Sequence, residues 1–272
     1  MRLTKLSSAF AILLFATGYL LIAESSAQEF RIDTDVYLGS GRQPVSHNIT
    51  LFSDGVIYDF QMSPTTDAAP IEIAIFDSRD MSFVLVDPER NMRLEISHVE
   101  LVKMMEGLRQ QTSQDEKTSF LINDAFVEDL DIATGIVSLE SQWIKYRFHG
   151  ERPQDASILP AYFQFIVNFS QLNASDPRKL PPFPRMRLNQ AIKRYGWIPD
   201  TVSVTLEPCE LFRDGADITA KHTLITELST TDRERIAETK TRWLGTRSVR
   251  IGEYREFETT TSTRQDESVS GN

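Results

Sequence analysis

Between Asn48 and Ser97 apolar and polar positions alternate in short runs broken by tight turns, the pattern of an antiparallel meander. Ile49-Thr50-Leu51-Phe52-Ser53 and Val56-Ile57-Tyr58-Asp59-Phe60 flank Asp54-Gly55, a dipeptide that tolerates the positive φ values of a two-residue hairpin turn. Runs over Ile71–Phe76, Met81–Val86 and Met92–Ile96 follow, separated by Asp77-Ser78-Arg79-Asp80 and Asp87-Pro88-Glu89-Arg90. Pro88 suits the second position of a type I turn and the aspartate before it suits the first. In Met92–Ile96 the apolar Met92, Leu94 and Ile96 alternate with Arg93 and Glu95, so one face is buried and the other wet.

Upstream, Glu29–Leu38 alternates in the same way and reads as the first strand. Downstream the period changes. Ser97-His98-Val99-Glu100 has capping-box spacing and opens a helix to about Gln111, with Leu101, Val102, Met105 and Leu108 on one face. Phe120–Asp131 fits a strand or a helix, and Ile136–Glu140 and Trp143–Phe148 read as two more strands. Ala156–Leu172 is the most apolar stretch outside the N-terminal segment, and it suits a helix pressed into the concave face of a sheet. Its Tyr162, Phe163, Phe165, Ile166 and Phe169 project over most of the circumference, so some must face a second surface and could bind a ligand. The expected arrangement sets Phe163 and Ile166 on the strands, and Tyr162 and Phe165 toward Pro177–Pro184. Pro184 suits the first turn of a helix to Tyr195 closed by Gly196. Thr201–Glu207 and Ile218–Leu228 return to strand around an Asp214-Gly215 turn. Thr231-Asp232-Arg233-Glu234 offers a second capping box for a helix to about Leu244, and Ser248–Phe257 reads as the last strand.

Composition sets the compartment. Arg2 and Lys5 precede an apolar run from Ala9 to Ala23, and Ser25-Ser26-Ala27 places small residues where a signal peptidase reads. Residues 1–27 are therefore expected to be a cleaved signal peptide, cut after Ala27; the other reading is an uncleaved anchor, for which the run is short. Residues 28–257 would then form a single domain, and 258–272, rich in Thr, Ser and charge, a disordered tail. Loss of Arg2, Lys5 and Glu24 takes the formal charge from −10 to −11, which argues against nucleic acid as a partner. No later apolar run suits a stable membrane span, so the protein is expected in the periplasm or secreted. Cys209 is the only cysteine, so disulfides do not hold the fold, and it reads as a small packed hydrophobe.

The sequence shows no catalytic constellation. It lacks a Gly-rich phosphate loop, a G-x-S-x-G elbow and an H-E-x-x-H pair, and His47, His98, His149 and His222 are widely spaced. Asp33-Thr34-Asp35 and the acids from Asp124 to Asp131 lack calcium-loop spacing and read as wet faces. No catalytic residue, metal ligand or cofactor is therefore assigned. In the order of its elements the chain does resemble the periplasmic lipoprotein-carrier superfamily, from the meander "Leu-Phe-Ser-Asp-Gly-Val-Ile-Tyr-Asp-Phe … Ile-Ala-Ile-Phe-Asp … Phe-Val-Leu-Val-Asp-Pro-Glu-Arg" through helices to further strands. That resemblance implies an α+β fold: a strongly curved antiparallel sheet, a half-barrel-like meander, with helices on its concave face and acyl chains held between. The function expected is that of an exported, non-enzymatic envelope protein binding a lipid or other apolar ligand. The alternative is a structural or interaction module with a filled core and an envelope protein as partner, and a secreted hydrolase is a third class.

Overall fold

A computed structural model describes residues 29–63, 70–243 and 245–255. The expected leader, the expected tail and most of the linker between Ser63 and Pro70 lie outside them. The strands are β1 (Phe30–Leu38), β2 (Ser46–Ser53), β3 (Val56–Met62), β4 (Glu72–Asp77), β5 (Ser82–Asp87), β6 (Met92–Ile96), β7 (Val127–Asp131), β8 (Ile136–Glu140), β9 (Ile144–Glu151), β10 (Ile198–Leu206), β11 (Ala216–Ile225) and β12 (Arg247–Ser248). The helices are α1 (His98–Gln114), α2 (Phe120–Asn123), α3 (Leu159–Leu172), α4 (Phe183–Tyr195) and α5 (Thr230–Trp243). The strands form one open 12-stranded sheet in the order β12-β6-β5-β4-β3-β2-β1-β11-β10-β9-β8-β7, with β12 parallel to β6. The expected curved α+β sheet is the fold observed.

Local chemistry explains most of the boundaries. Asp54 and Gly55 take φ values of 53° and 76°, as a two-residue hairpin turn requires. In the next two turns the Asp77 and Asp87 carboxylates accept the backbone N–H groups of Arg79 (2.9 Å) and Arg90 (2.7 Å), the side-chain-closed geometry that aspartate favours. Ser97 Oγ accepts the Glu100 N–H while the Glu100 carboxylate accepts the Ser97 N–H, so the capping box that opens α1 forms as expected. Gly196 ends α4 in the left-handed conformation, φ 67°.

The core has two parts. On the concave face Phe30, Ile32, Phe52, Ile57, Phe76, Phe83, Leu85 and Val202 pack with Ile158, Tyr162, Ile166, Leu188 and Ile192 from the stretch before α3, from α3 and from α4. On the opposite face Ile49, Leu51, Tyr58, Phe60, Ile73 and Ile75 pack with Leu228 and with Ile236 of α5. The helices therefore do not all lie on the concave face: α5 covers the other side of β2–β5. The physical reason is visible in Ile73-Ala74-Ile75-Phe76, which is apolar at every position and buried on both faces.

Three other expectations are corrected. The helix box at Thr231–Glu234 is displaced by two residues: Ser229 Oγ accepts the Asp232 N–H (3.1 Å), and the Asp232 carboxylate accepts the Ser229 N–H (3.0 Å). The final strand is only Arg247–Ser248; the chain then makes a helical turn over 251–255 that buries Tyr254 beside Arg90. On α1, Val102 is exposed and Met104 packs on the core instead, because Leu101 rather than Val102 sets the buried stripe.

Candidate functional site

The five positions singled out on α3 are split by the fold. The ring of Phe165 meets Phe52 of β2 edge-on at 5.7 Å between centroids and Phe169 at 4.6 Å, and Phe169 meets Phe83 of β5 at 5.2 Å. Phe165 thus faces the sheet, contrary to the expectation that it turns toward the proline segment. Tyr162 and Ile166 are buried, with Asn189 of α4 donating to the Ile166 carbonyl at 2.6 Å. Phe163 borders a groove of about 550 Å³ that Met81, His98, Val167 and Lys193 also line. The wide apolar surface of α3 is used because sheet, α1 and α4 all contact it.

A larger opening lies at the start of α3, where sequence reasoning placed nothing. The cleft has a volume of about 670 Å³; Phe52, Val56, Ile57, Ile158, Ala161 and Leu228 supply its apolar wall. Its polar side groups include Ser53, Gln164, Glu29, Glu227 and Arg233. It meets the groove at Pro160 and Gln164, which line both. The hairpin brings Phe52 and Ile57 to the floor, the 3₁₀ turn before α3 brings Ile158, and the cap of α5 sets Leu228 and Arg233 on the far side. Ser53 Oγ donates to Glu29 Oε1 at 2.7 Å, and Arg233 pairs with Glu29 Oε2. Burial alone would raise the Glu29 carboxyl, but these two partners prevail and hold it below its ordinary value. The cleft sets an apolar wall against a polar side whose corner is the Glu29–Arg233 pair. The signal available in the sequence was Phe52 beside the hairpin turn and Leu228 just before a cap, both apolar residues at element ends.

The concave face also carries a polar band. Asp59 accepts from Thr50 Oγ1 (2.7 Å) and Asn48 Nδ2 (3.0 Å), and Thr34 Oγ1 lies 2.9 Å from His222 Nδ1. Burial pushes Asp59 up to about 6 against the Thr50 and Asn48 hydrogen bonds, and burial pushes His222 down to about 4. Strand register puts Gln61, Asn48, Thr34 and His222 side by side across β3, β2, β1 and β11. Cys209 is half-buried, with the Phe212 N–H directed at its Sγ at 3.4 Å. Among the described residues, no His, Cys, Asp and Glu group is placed to hold a metal ion, and no helix is long and apolar enough to cross a membrane.

No protein-family model matches the sequence, and no curated protein matches it. Among solved structures, PNGF-II is similar with a TM-score of 0.32 and 8% identity over 82% of this chain and 31% of that one. This chain therefore spans about a third of PNGF-II. A LolA superfamily protein of Nitrosomonas europaea is similar with a TM-score of 0.30 and 6% identity over 75% of this chain and 89% of that one.

Proposed function

We propose that this is an exported, non-enzymatic binding protein of the cell envelope whose ligand is a lipid or other amphiphile seated in the cleft at the start of α3. The observation that carries the reading is the cleft itself. Its volume of about 670 Å³ lies within the usual range of small-molecule sites, roughly 300–1,000 Å³. Phe52, Val56, Ile57, Ile158, Ala161 and Leu228 give it an apolar wall beside polar side chains, with a charged corner at Glu29 and Arg233 to fix one end of the ligand. Export rests on Arg2, Lys5, the apolar run to Ala23 and the small residues at Ser25-Ser26-Ala27.

Titration with a fluorescent fatty acid tests the proposal, using the mature chain and its Ala161→Trp variant. Ala161 lines the cleft, so an indole there fills it. The expected result is saturable binding by the parent protein and its loss in the variant, with thermal melts showing both folded. Absence of binding by the parent, or equal binding by a folded variant, would overturn it. The edge-on packing of Phe165 against Phe52 and of Phe169 against Phe83 favours a second reading, an interaction or structural module, because it fills the space between α3 and the sheet.

A further inference from the structure

The two edges of the 12-stranded sheet are finished differently. At β6 the chain closes the edge itself. There β12 pairs with Met92 and Arg93, the Arg247 N–H donates to the Asn91 carbonyl at 3.2 Å, and the Val249 N–H donates to the Arg93 carbonyl at 2.9 Å. At the other end β7 pairs with β8 alone. Among the described residues its one further backbone bond is the turn contact from the Gly135 N–H to the Asp131 carbonyl at 2.8 Å. The outer N–H and C=O groups of β7 are therefore open, and such a row is a template for another strand.

All five residues of β7 are exposed. Val137 and Leu139 of β8, 0% and 3% exposed in the concave core, lie opposite Leu130 and Glu128. Leu130 and Glu128 therefore share the concave face, and Val127, Asp129 and Asp131 share the convex one. Apolar surface lies open along this edge: Val127 is 71% exposed, Leu130 37%, and Ile132 in the turn 89%.

Charge selects the occupant. The Arg194 guanidinium of α4 already pairs with Glu128. The Asp131 carboxylate accepts from neutral donors, the Ala133 N–H at 2.9 Å and the Thr134 hydroxyl at 2.8 Å, which leave its charge in place. Asp129 makes no hydrogen bond or ion pair among the described residues. Two carboxylates thus stand two residues apart on one face, with no cation paired to either. A second copy of this chain fits poorly. Antiparallel self-pairing centred on Asp129 sets that residue against its own copy, and like charges directly opposite are destabilising. An incoming strand with Lys or Arg at alternate positions has the same spacing, about 6.8 Å, and meets both carboxylates.

We infer that β7 is a docking edge for an extended basic segment of a partner polypeptide, which adds antiparallel to the sheet with Lys or Arg opposite Asp129 and Asp131 and apolar side chains opposite Val127 and Leu130. The edge uses none of the cleft side chains and stands or falls separately from the amphiphile reading.

The test is titration of the isotope-labelled mature protein with a capped peptide containing Lys-Val-Lys-Thr-Val, read by amide chemical shifts and amide hydrogen exchange. One companion peptide carries Glu in place of Lys, and a second keeps the lysines but is N-methylated along its backbone, so that it cannot pair as a strand. The first peptide alone should give saturable shifts centred on Val127–Asp131 and slow the exchange of the outward amides of β7. The protein carrying both Asp129→Asn and Asp131→Asn, two exposed positions, should bind about tenfold more weakly or worse. Ala161→Trp should bind undiminished, which separates this edge from the cleft. No shift at β7, equal binding of either companion peptide, or undiminished binding by the double variant would overturn the inference. So would shifts at β7 that grow with protein concentration alone, together with a dimer in light scattering, because the edge would then belong to a second copy. Should the double variant melt without cooperativity, the three peptides on the parent protein decide by the same criteria.

Discussion

Asp59 and His222 should titrate in opposite senses, so that replacing one exposes the other. Asp59 rises from 3.8 to about 6, by burial first, with Glu72 adding and Thr50, Asn48 and Lys179 opposing. A native carboxyl with a raised pKa binds its proton more tightly than the unfolded chain does. Its contribution is therefore favourable at low pH and is lost as pH rises from 3.8 to about 6. His222 falls from 6.5 to about 4, by burial first, with Arg185 adding and Asp200 opposing, so its contribution is present above 6.5 and is lost as pH falls toward 4. Each shift spans about two units, an upper figure of about 3 kcal/mol at about 1.4 kcal/mol per unit. Both residues are half-buried rather than sealed, and solvent screening reduces this to about 1–2 kcal/mol each. The parent protein should therefore hold nearly constant stability between pH 4 and 6. His222→Gln should gain stability on acidification through that window, and Asp59→Asn should lose it. The Asp176 carboxyl, held near 2 chiefly by the Arg178 guanidinium, titrates below the window. Urea unfolding followed by tryptophan fluorescence at several pH values measures all three proteins. Three parallel pH curves would refute the reasoning.

Phe165→Ala removes a ring packed on Phe52 and Phe169 and should cost about 3 kcal/mol in urea unfolding; a loss below about 1 kcal/mol would mean the ring is not part of the core. Ser229→Ala should cost about 1 kcal/mol by removing the α5 cap, whereas Thr231→Ala should be nearly neutral, and the reverse order would restore the original box. Cys209→Ala should cost no more than about 1 kcal/mol and leave the oligomeric state unchanged in light scattering.

What could be read from the sequence was what is decided locally. The Asp54-Gly55 turn, the Ser97–Glu100 box and the Gly196 cap each depend on a few adjacent residues, and each formed as expected. The second capping box shows where local reading stops. Ser229–Asp232 and Thr231–Glu234 both fit the spacing, and the first prevails because Asp232 also reaches Arg31 of β1 at 2.9 Å. The sheet closes its middle through β1 and β11, pairing Arg31 with Ile225, a contact no local pattern encodes. The cleft is assembled from the β2–β3 turn, the approach to α3 and the cap of α5, segments far apart in the chain. The apolar breadth of α3 was legible, but which rings meet the sheet depended on α1 and α4 occupying the other sides.

The most direct test of the binding account is crystallographic: the mature protein soaked with a fatty acid brominated near its methyl end, with anomalous difference maps locating the bromine. The account predicts one bromine peak in the cleft against Phe52, Ile57, Ile158 and Ala161. A peak elsewhere, or none at ligand concentrations that saturate binding in solution, would contradict it.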